Sequence, residues 1–567
     1  MTTDGRNMVS GAEAMVRMLQ AHGVTHMFGL CGDTSLPLYD ALHILDHGIT
    51  HFLTRDERHA TYMADAYARV TGKVGVAEGP SGGGATYILP GLAEAGDSSI
   101  PVLGITTDVS VSSLGKYPLT ELDQGALMKP LTKWNGVIDT SERLPGMVRN
   151  AFRAMTTGRP GSAHLALPFD VQKDGVADED IWAQSEFGHF PAWPSGPDPK
   201  AVEAALDKIL AAKKPVIIVG GGVVISGGEA ALQQLAERLD IVVATTVSGQ
   251  GCLADTHPNC LGVVGSNGGV PATRAVVDDS DLVIFISCRA GSVTTERWRS
   301  PPIGTPIVHI DSDPEVISAI YPTEIGLVGD ARLALEALNA ALDASGTAPN
   351  GFDGAAKVAA AKKIKFAAFE ELARSDDSPI KPERVIAELD RVLPDDAVVV
   401  ADPGTPCPYF SGFKPWRQAG RHFISNRAHG ALGYSMSAAM GAQVGRPGSK
   451  VISVMGDGSF GFSVGEFETA TRYNLPVTFI VFSNSVFGWI KAGQKTGFNE
   501  RYYNVDFNTT DHAAVAAAYG VKSWRVENPA DLNRVLKEAI NHDGPTLVDI
   551  ISQPLQDANA PVSEWVA

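Results

Sequence analysis

The spacing of apolar side chains divides the chain into alternating helical and strand-like stretches. Ser10-Gly11-Ala12-Glu13 has the form of a capping box, and Ala12, Met15, Val16 and Leu19 lie on one helical face with Gly23 as a stop, which predicts a helix. Residues 24–30 are strand-like and run into Cys31-Gly32-Asp33, after which a helical pattern passes through Leu36 and Tyr39 to Leu45. Short apolar runs at 74–77, 102–105 and 163–167 alternate with further helical patterns. Such alternation predicts a mainly parallel sheet with helices on both faces.

The pattern breaks near Asp170, and residues 187–199, rich in Pro, Gly and aromatic side chains, have the composition of a linker. It resumes at Lys214-Pro215, with runs at 216–219, 241–244, 282–287 and 307–310 and a Gly220-Gly221-Gly222 turn. Residues 344–377 mix Gly, Ala, Lys and Asp and read as a connection containing one exposed helix. The expected organisation is three doubly wound α/β domains with mainly parallel sheets, at 1–186, 187–345 and 379–550, with a linker at 346–378. A tail at 551–567 carries Glu564 and Trp565, which suits a lid over a substrate as well as it suits a frayed end. A chain of 567 residues is several times the size of one hydrophobic core, as three domains require.

Composition narrows the classes. Hydrophobic content of 44% and charged content of 19% are those of a folded protein, and a net charge of −18 argues against nucleic-acid binding, which needs a basic face. The five cysteines show no CxxC or His-paired metal spacing and read as thiols of a reducing compartment. Met1 to Val9 lacks a basic segment followed by an apolar run, and no stretch reaches the roughly eighteen apolar residues of a membrane span, so a cytoplasmic location is expected.

The strongest chemical signal is the run 451–455 followed by Gly456-Asp457-Gly458-Ser459, a helical stretch at 467–472, a second run at 477–482 and Ser483-Asn484. Strand, turn, helix and strand place Asp457 and Asn484 at the carboxyl ends of neighbouring parallel strands, where open α/β sheets bind ligands. A carboxylate, an amide oxygen and a diphosphate make a fitting oxygen shell for Mg²⁺, and the backbone N–H groups of Gly458 and Ser459 suit phosphate. In isolation, a plain Gly-Asp-Gly turn would read the same.

Gly456-Asp457-Gly458, with Asn484 placed 27 residues after Asp457, resembles the thiamine-diphosphate signature of the acetolactate synthase superfamily. The resemblance makes Asp457, Asn484 and the backbone carbonyl of Val486 the metal ligands. Ser483 departs from the family, which usually has a first asparagine there. Thr54-Arg55-Asp56-Glu57-Arg58-His59-Ala60 resembles the family's activating-glutamate segment, with Glu57 exchanging a proton with the pyrimidine N1′ of the cofactor. A buried carboxyl beside a neutral ring has the raised pKa such sharing demands, although in isolation Glu57 reads equally as a surface charge. His429-Gly430-Ala431-Leu432-Gly433-Tyr434 matches a third segment, in which Leu432 would bend the cofactor and the Gly430 carbonyl would accept from its 4′-amino group. Simple core packing also explains Leu432. Gly404 and Thr405 are assigned to the diphosphate. The resemblance extends over nearly all of the chain and implies a pyrimidine-binding, a middle and a diphosphate-binding domain. It also implies a homodimer or homotetramer, because in the family the glutamate and metal sites serving one cofactor come from different subunits.

Substrate class rests on departures from the family pattern. Acetolactate synthases usually carry Gln-Glu where this chain has Thr120-Glu121, whereas Glu121-Leu122-Asp123-Gln124 resembles oxalyl-CoA decarboxylases, relatives of the 2-hydroxyacyl-CoA lyases. The usual flavin-contact motif is missing around Cys288 to Ser292, which argues against FAD and leaves the middle domain to bind an ADP moiety or nothing. Gly220 to Gly222 lack a third glycine at Rossmann spacing, which disfavours a nicotinamide oxidoreductase. His429 and Glu121 are candidate acid–base groups. Lys414, Arg417, Arg421 and Arg427 would suit a CoA phosphate or a solvated face equally. The favoured expectation is a lyase cleaving a 2-hydroxyacyl-CoA to a carbonyl compound and formyl-CoA, with a carboligase acting on 2-keto acids as the alternative.

Overall fold

The computed structural model describes residues 7–346 and 351–558. Among these residues two compact units result, each gathered from separate stretches of chain: 7–193 with 426–447 and 465–473, and 194–346 and 351–425 with 448–464 and 474–558.

The first unit is built on a six-stranded sheet of β2 (His26–Gly29), β3 (Thr50–Leu53), β4 (Gly75–Gly79), β5 (Val102–Asp108), β6 (Trp134–Val137) and β7 (Ala163–Pro168), in the order β3-β2-β4-β5-β7-β6. Every pairing in it is parallel. A short antiparallel ribbon joins β1 (Met8–Ser10) to β8 (Gly175–Ala177), and the capping box at Ser10 is formed, starting the Gly11–Ala21 helix. The second unit holds two more parallel sheets. One comprises β9 (Pro215–Val219), β10 (Val242–Thr245), β11 (Cys260–Val263), β12 (Leu282–Ile286), β13 (Ile307–Asp311) and β14 (Ile325–Val328), in the order β11-β10-β9-β12-β13-β14. The other comprises β15 (Val398–Ala401), β16 (Phe423–Ser425), β17 (Val451–Gly456), β18 (Val477–Ser483), β19 (Lys522–Val526) and β20 (Thr546–Ile551), in the order β16-β15-β17-β18-β20-β19. Numbered within each sheet, the first and last share the order 2-1-3-4-6-5, so one topology occurs twice. The middle sheet has the order 3-2-1-4-5-6. Central strands such as β5 and β18 are buried along their whole length, as strands covered on both faces must be, and their apolar runs are continuous rather than alternating.

Two expectations change. Residues 187–193 are not a linker: Phe187, Phe190 and Ala192 are buried, and Phe190 and Ala192 donate their backbone N–H groups to Gly72 and Thr156 of the first unit. The aromatic content that suggested irregular chain supplies the apolar surface that packs it down. Nor is the helix Gly354–Ala373 exposed; Val358, Ala361, Phe369 and Ala373 form a buried stripe. Lys365 interrupts that stripe in sequence yet is itself buried, which hid the periodicity. The proposed lid falls largely outside the described residues, since Glu564 and Trp565 lie beyond residue 558; up to that point Leu555 is buried and packs against Gly488. No helix among the described residues is long and apolar enough to cross a membrane.

Candidate active site

In the second unit the chain reverses its direction of winding between β15 and β17, and a ligand crevice opens at such a switch point. Gly404 and Thr405 follow β15, Asp457 follows β17 and Asn484 follows β18, with Gly456 in register with Phe482. Asp457, only 5% exposed, ties these ends together: one carboxylate oxygen accepts the backbone N–H of Asn484 at 2.8 Å and of Ser485 at 2.6 Å, and the other accepts that of Gly458 at 2.9 Å. Burial pushes its carboxyl above the ordinary range, with the amides of Ser485, Asn484 and Gly458 and the nearby His512 opposing. A side chain at Gly458 would lie 2.6 Å from the Phe487 ring, so the turn tolerates only glycine there. Val486 is buried and bridged to Asp506, while the Asn484 side chain is half-exposed.

Behind Asn484, Ser483 fills the place of the missing asparagine with a buried cluster. Its hydroxyl donates to Asp549 and lies 2.9 Å from Nδ1 of His512, and Arg525 pairs with Asp549 at 3.1 Å. Among the described residues no group of three or more His, Cys, Asp or Glu side chains forms a metal cage. A carboxylate, a side-chain amide and a backbone carbonyl at these strand ends are oxygen groups of the kind Mg²⁺ takes beside a ligand's phosphates.

In the first unit, Glu57 is the first residue of the helix Glu57–Thr71, with Asp56 as N-cap accepting the N–H of Arg58 at 2.8 Å. Glu57 is also 5% exposed. Glycines surround it: a side chain at Gly84 would meet its Oε1 at 3.0 Å, and one at Gly79 would meet its Cγ at 3.1 Å. Burial first, then the carboxylates of Asp56 and Glu78, push the Glu57 carboxyl up, against its own backbone amide and Arg58. Glu466 accepts the N–H of Arg55 at 2.9 Å, and the Tyr473 hydroxyl accepts that of Leu53 at 2.9 Å, which fixes the approach to Glu57. His429, Gly430 and Leu432 belong to the same unit. The His429 side chain is exposed and Leu432 is half-buried, while Gly430 adopts φ +74°, a left-handed conformation that suits glycine.

Other expected groups fare differently. Glu121 is exposed and accepts the N–H of Gly115 at 2.7 Å, whereas Gln124 is buried, bonded to the Thr106 hydroxyl and donating to the Thr107 carbonyl. The basic residues considered for a CoA phosphate are largely engaged within the second unit: Lys414 and Arg417 pair with Asp390 at 3.0 and 2.8 Å, and Arg421 donates to the Ser248 carbonyl at 2.9 Å. The glycines of the middle sheet serve close packing, since a side chain at Gly220 would lie 1.9 Å from the Ser287 carbonyl oxygen. Glu94 and Glu466 carry no motif or spacing in the sequence that would distinguish a buried polar anchor from a surface residue.

Three parallel α/β sheets with these strand-end loops define a class. Residues 9–127 match the N-terminal TPP-binding domain of thiamine pyrophosphate enzymes, residues 202–338 the central domain and residues 402–550 the C-terminal TPP-binding domain. The chain therefore belongs to the thiamine-diphosphate-dependent enzymes of the acetolactate synthase superfamily. It is 35% identical to a probable acetolactate synthase large subunit of Methanococcus aeolicus, over 96% of this chain and 92% of that protein. It is 31% identical to the acetolactate synthase isozyme 3 large subunit of Escherichia coli (94% and 92%) and to an acetolactate synthase of Mycobacterium bovis (96% and 88%). These relatives carry the name of the alternative reading and not of a 2-hydroxyacyl-CoA lyase, so the favoured acyl-CoA expectation loses its support.

Proposed function

We propose that this enzyme is a Mg²⁺-dependent, acetolactate synthase-like carboligase that decarboxylates one 2-keto acid and joins the remaining fragment to another carbonyl compound. The observation that carries the reading is the match to proteins of that name along nearly the whole of both chains. The engagement of Lys414, Arg417 and Arg421 by neighbouring groups favours a small keto acid over a CoA ester.

In this reading the domain expected at 1–186, extended to residue 193 by the packing of 187–193, binds the aminopyrimidine, the remainder to 345 forms the middle domain and 379–550 bind the diphosphate. Asp457, Asn484 and the Val486 carbonyl hold Mg²⁺, and the backbones of Gly458, Ser459, Gly404 and Thr405 hold the diphosphate. When bound, thiamine diphosphate supplies a thiazolium that stores the electron pair left by cleavage of the carbon–carbon bond. Glu57, whose carboxyl is pushed up by burial, would exchange a proton with the pyrimidine N1′, the Gly430 carbonyl would accept from the 4′-amino group, and Leu432 would pack against the cofactor. His429 and Glu121, both exposed, are the candidate acid–base groups for substrate protons. The enzyme works in the cytoplasm as a homodimer or homotetramer, with no FAD.

Incubation with pyruvate, and separately with 2-hydroxyacyl-CoA thioesters, tests the reading. Acetolactate from pyruvate alone is expected; formyl-CoA from the thioester, without acetolactate, would overturn it. Chromatography of the heat-released small molecules checks the middle domain, where neither FAD nor an ADP compound is expected.

A further inference from the structure

We propose that Glu94 is the positioning residue of the loop that carries Gly430 and Leu432, its buried carboxylate fixing the backbone of Ala428 and His429 while Arg69 pins it from behind. The proposal rests on the cofactor reading above for the purpose of the loop, and on the geometry for the clamp itself.

Glu94 lies in the helix Leu89–Asp97 and is 1% exposed. Its Oε2 accepts the N–H of His429 at 2.7 Å and of Ala428 at 3.2 Å, and its Oε1 accepts from Arg69 Nη2 at 3.2 Å and the Ser98 hydroxyl at 2.7 Å. Four donors thus occupy one carboxylate. Arg69 Nε also donates to Asp65 at 2.9 Å, and Asp65 accepts from the Tyr434 hydroxyl at 2.5 Å. Tyr434 opens the helix Tyr434–Gly445, immediately beyond the loop. One buried circuit therefore holds the loop where it begins, at 428 and 429, and where it ends, at 434.

The frame carrying the circuit is rigid. Helices Glu57–Thr71 and Tyr434–Gly445 approach so closely that a side chain at Gly441 would lie 2.0 Å from the Met63 carbonyl oxygen. His429 and Gly430 are exposed, Gly430 and Gly433 take left-handed φ values of +74° and +86°, and the Asn426 side chain bonds the Ala431 carbonyl at 2.7 Å. Hydrogen bonds to a buried carboxylate are short and about twice as strong as neutral ones, so the clamp decides where the Gly430 carbonyl and Leu432 stand. Losing the Glu94 charge leaves the buried Arg69 with Asp65 alone, which loosens the circuit.

Amide hydrogen exchange on the full-length protein without added cofactor tests the clamp. Glu94→Gln keeps the shape and one acceptor oxygen but removes the charge; exchange in residues 426–433 should quicken at least about tenfold, as expected for the loss of a charged hydrogen bond. A peptide spanning β17 should be unchanged. With cofactor added, half-saturating thiamine diphosphate should rise about tenfold while KM for the keto acid stays put, a split that general destabilisation would not give. Unchanged exchange at 426–433 in folded Glu94→Gln would overturn the proposal. Should that variant fail to fold, Tyr434→Phe retains every charge and removes only the far hydroxyl; exchange about threefold faster is expected, and wild-type exchange would overturn the proposal. Wild-type protein that failed to bind thiamine diphosphate would sink the cofactor reading and leave the exchange result standing.

Discussion

Glu57 and Asp457 are withdrawn from water to the same extent, at 5% exposure each, and burial raises the pKa of both, yet they are built for different work. Asp457 accepts three backbone N–H groups from two strand ends, which fixes its direction, ties β17 to β18 and suits the metal-ligand role proposed for it. Glu57 sits in a pocket walled by Gly79 and Gly84 and is opposed by the like charges of Asp56 and Glu78, which favours the neutral acid. Equal burial therefore says little about role; the kind of partner says more. A carboxyl held by amides is fixed in direction and resists the upward push of burial, whereas one set against carboxylates is pushed further up.

The comparison can be broken experimentally. The largest expected effect is in Glu57→Gln, which should bind thiamine diphosphate but lose exchange of its C2 proton by about a thousandfold, measured by NMR in deuterated buffer. Wild-type exchange would remove Glu57 from its role. Because the folded-state pKa of Glu57 is raised above the ordinary 4.5, its burial costs stability only as pH climbs past that value. Glu57→Gln should therefore melt increasingly higher than the wild type as pH rises from 5, read from thermal melts across that range.

Next in size, Asp457→Ala should weaken Mg²⁺-dependent binding of thiamine diphosphate by more than about a hundredfold, beyond the loss that a residue merely supporting a ligand causes. Calorimetric titration showing wild-type affinity would dissolve the assigned metal shell.

Glu466 sharpens the contrast from the other side. It anchors Arg55 at 2.9 Å, yet burial pushes its own carboxyl up to about 7. A raised acid contributes fully below its unfolded pKa and loses that contribution as pH rises to the folded one. Glu466→Gln should match the wild type near pH 4.5 and exceed it by up to about 3 kcal/mol at pH 8, read from urea midpoints. A constant difference across that range would mean the carboxyl is not raised. The smallest effect is expected in Ser483→Ala, which removes one donor to the buried Asp549 and should cost about 1 to 2 kcal/mol.

Much of the fold was legible because it depends on local pattern. Continuous apolar runs separated by helical spacings predicted parallel strands, and the turn after β17 and the end of β18 were identified because strand, Gly-Asp-Gly and helix follow one another directly in the chain. Reading failed where a long-range contact reverses the local cue. The aromatic residues at 187–193 looked like linker because their partners lie more than thirty residues away, at Thr156 and earlier, and Lys365 hid a buried helix face. The basic residues near 417 offered a ligand site until Asp390 was seen beside two of them.

The sequence pointed to the class of cofactor through its resemblance to a known family, and to the residues at the strand ends because strand, turn and helix follow one another closely along the chain. Tertiary structure alone decided which polar groups hold them in place. Glu94 meets His429, and Glu466 meets Arg55, across hundreds of residues, and a buried anchor is recognisable only when the donors that surround it in space are known.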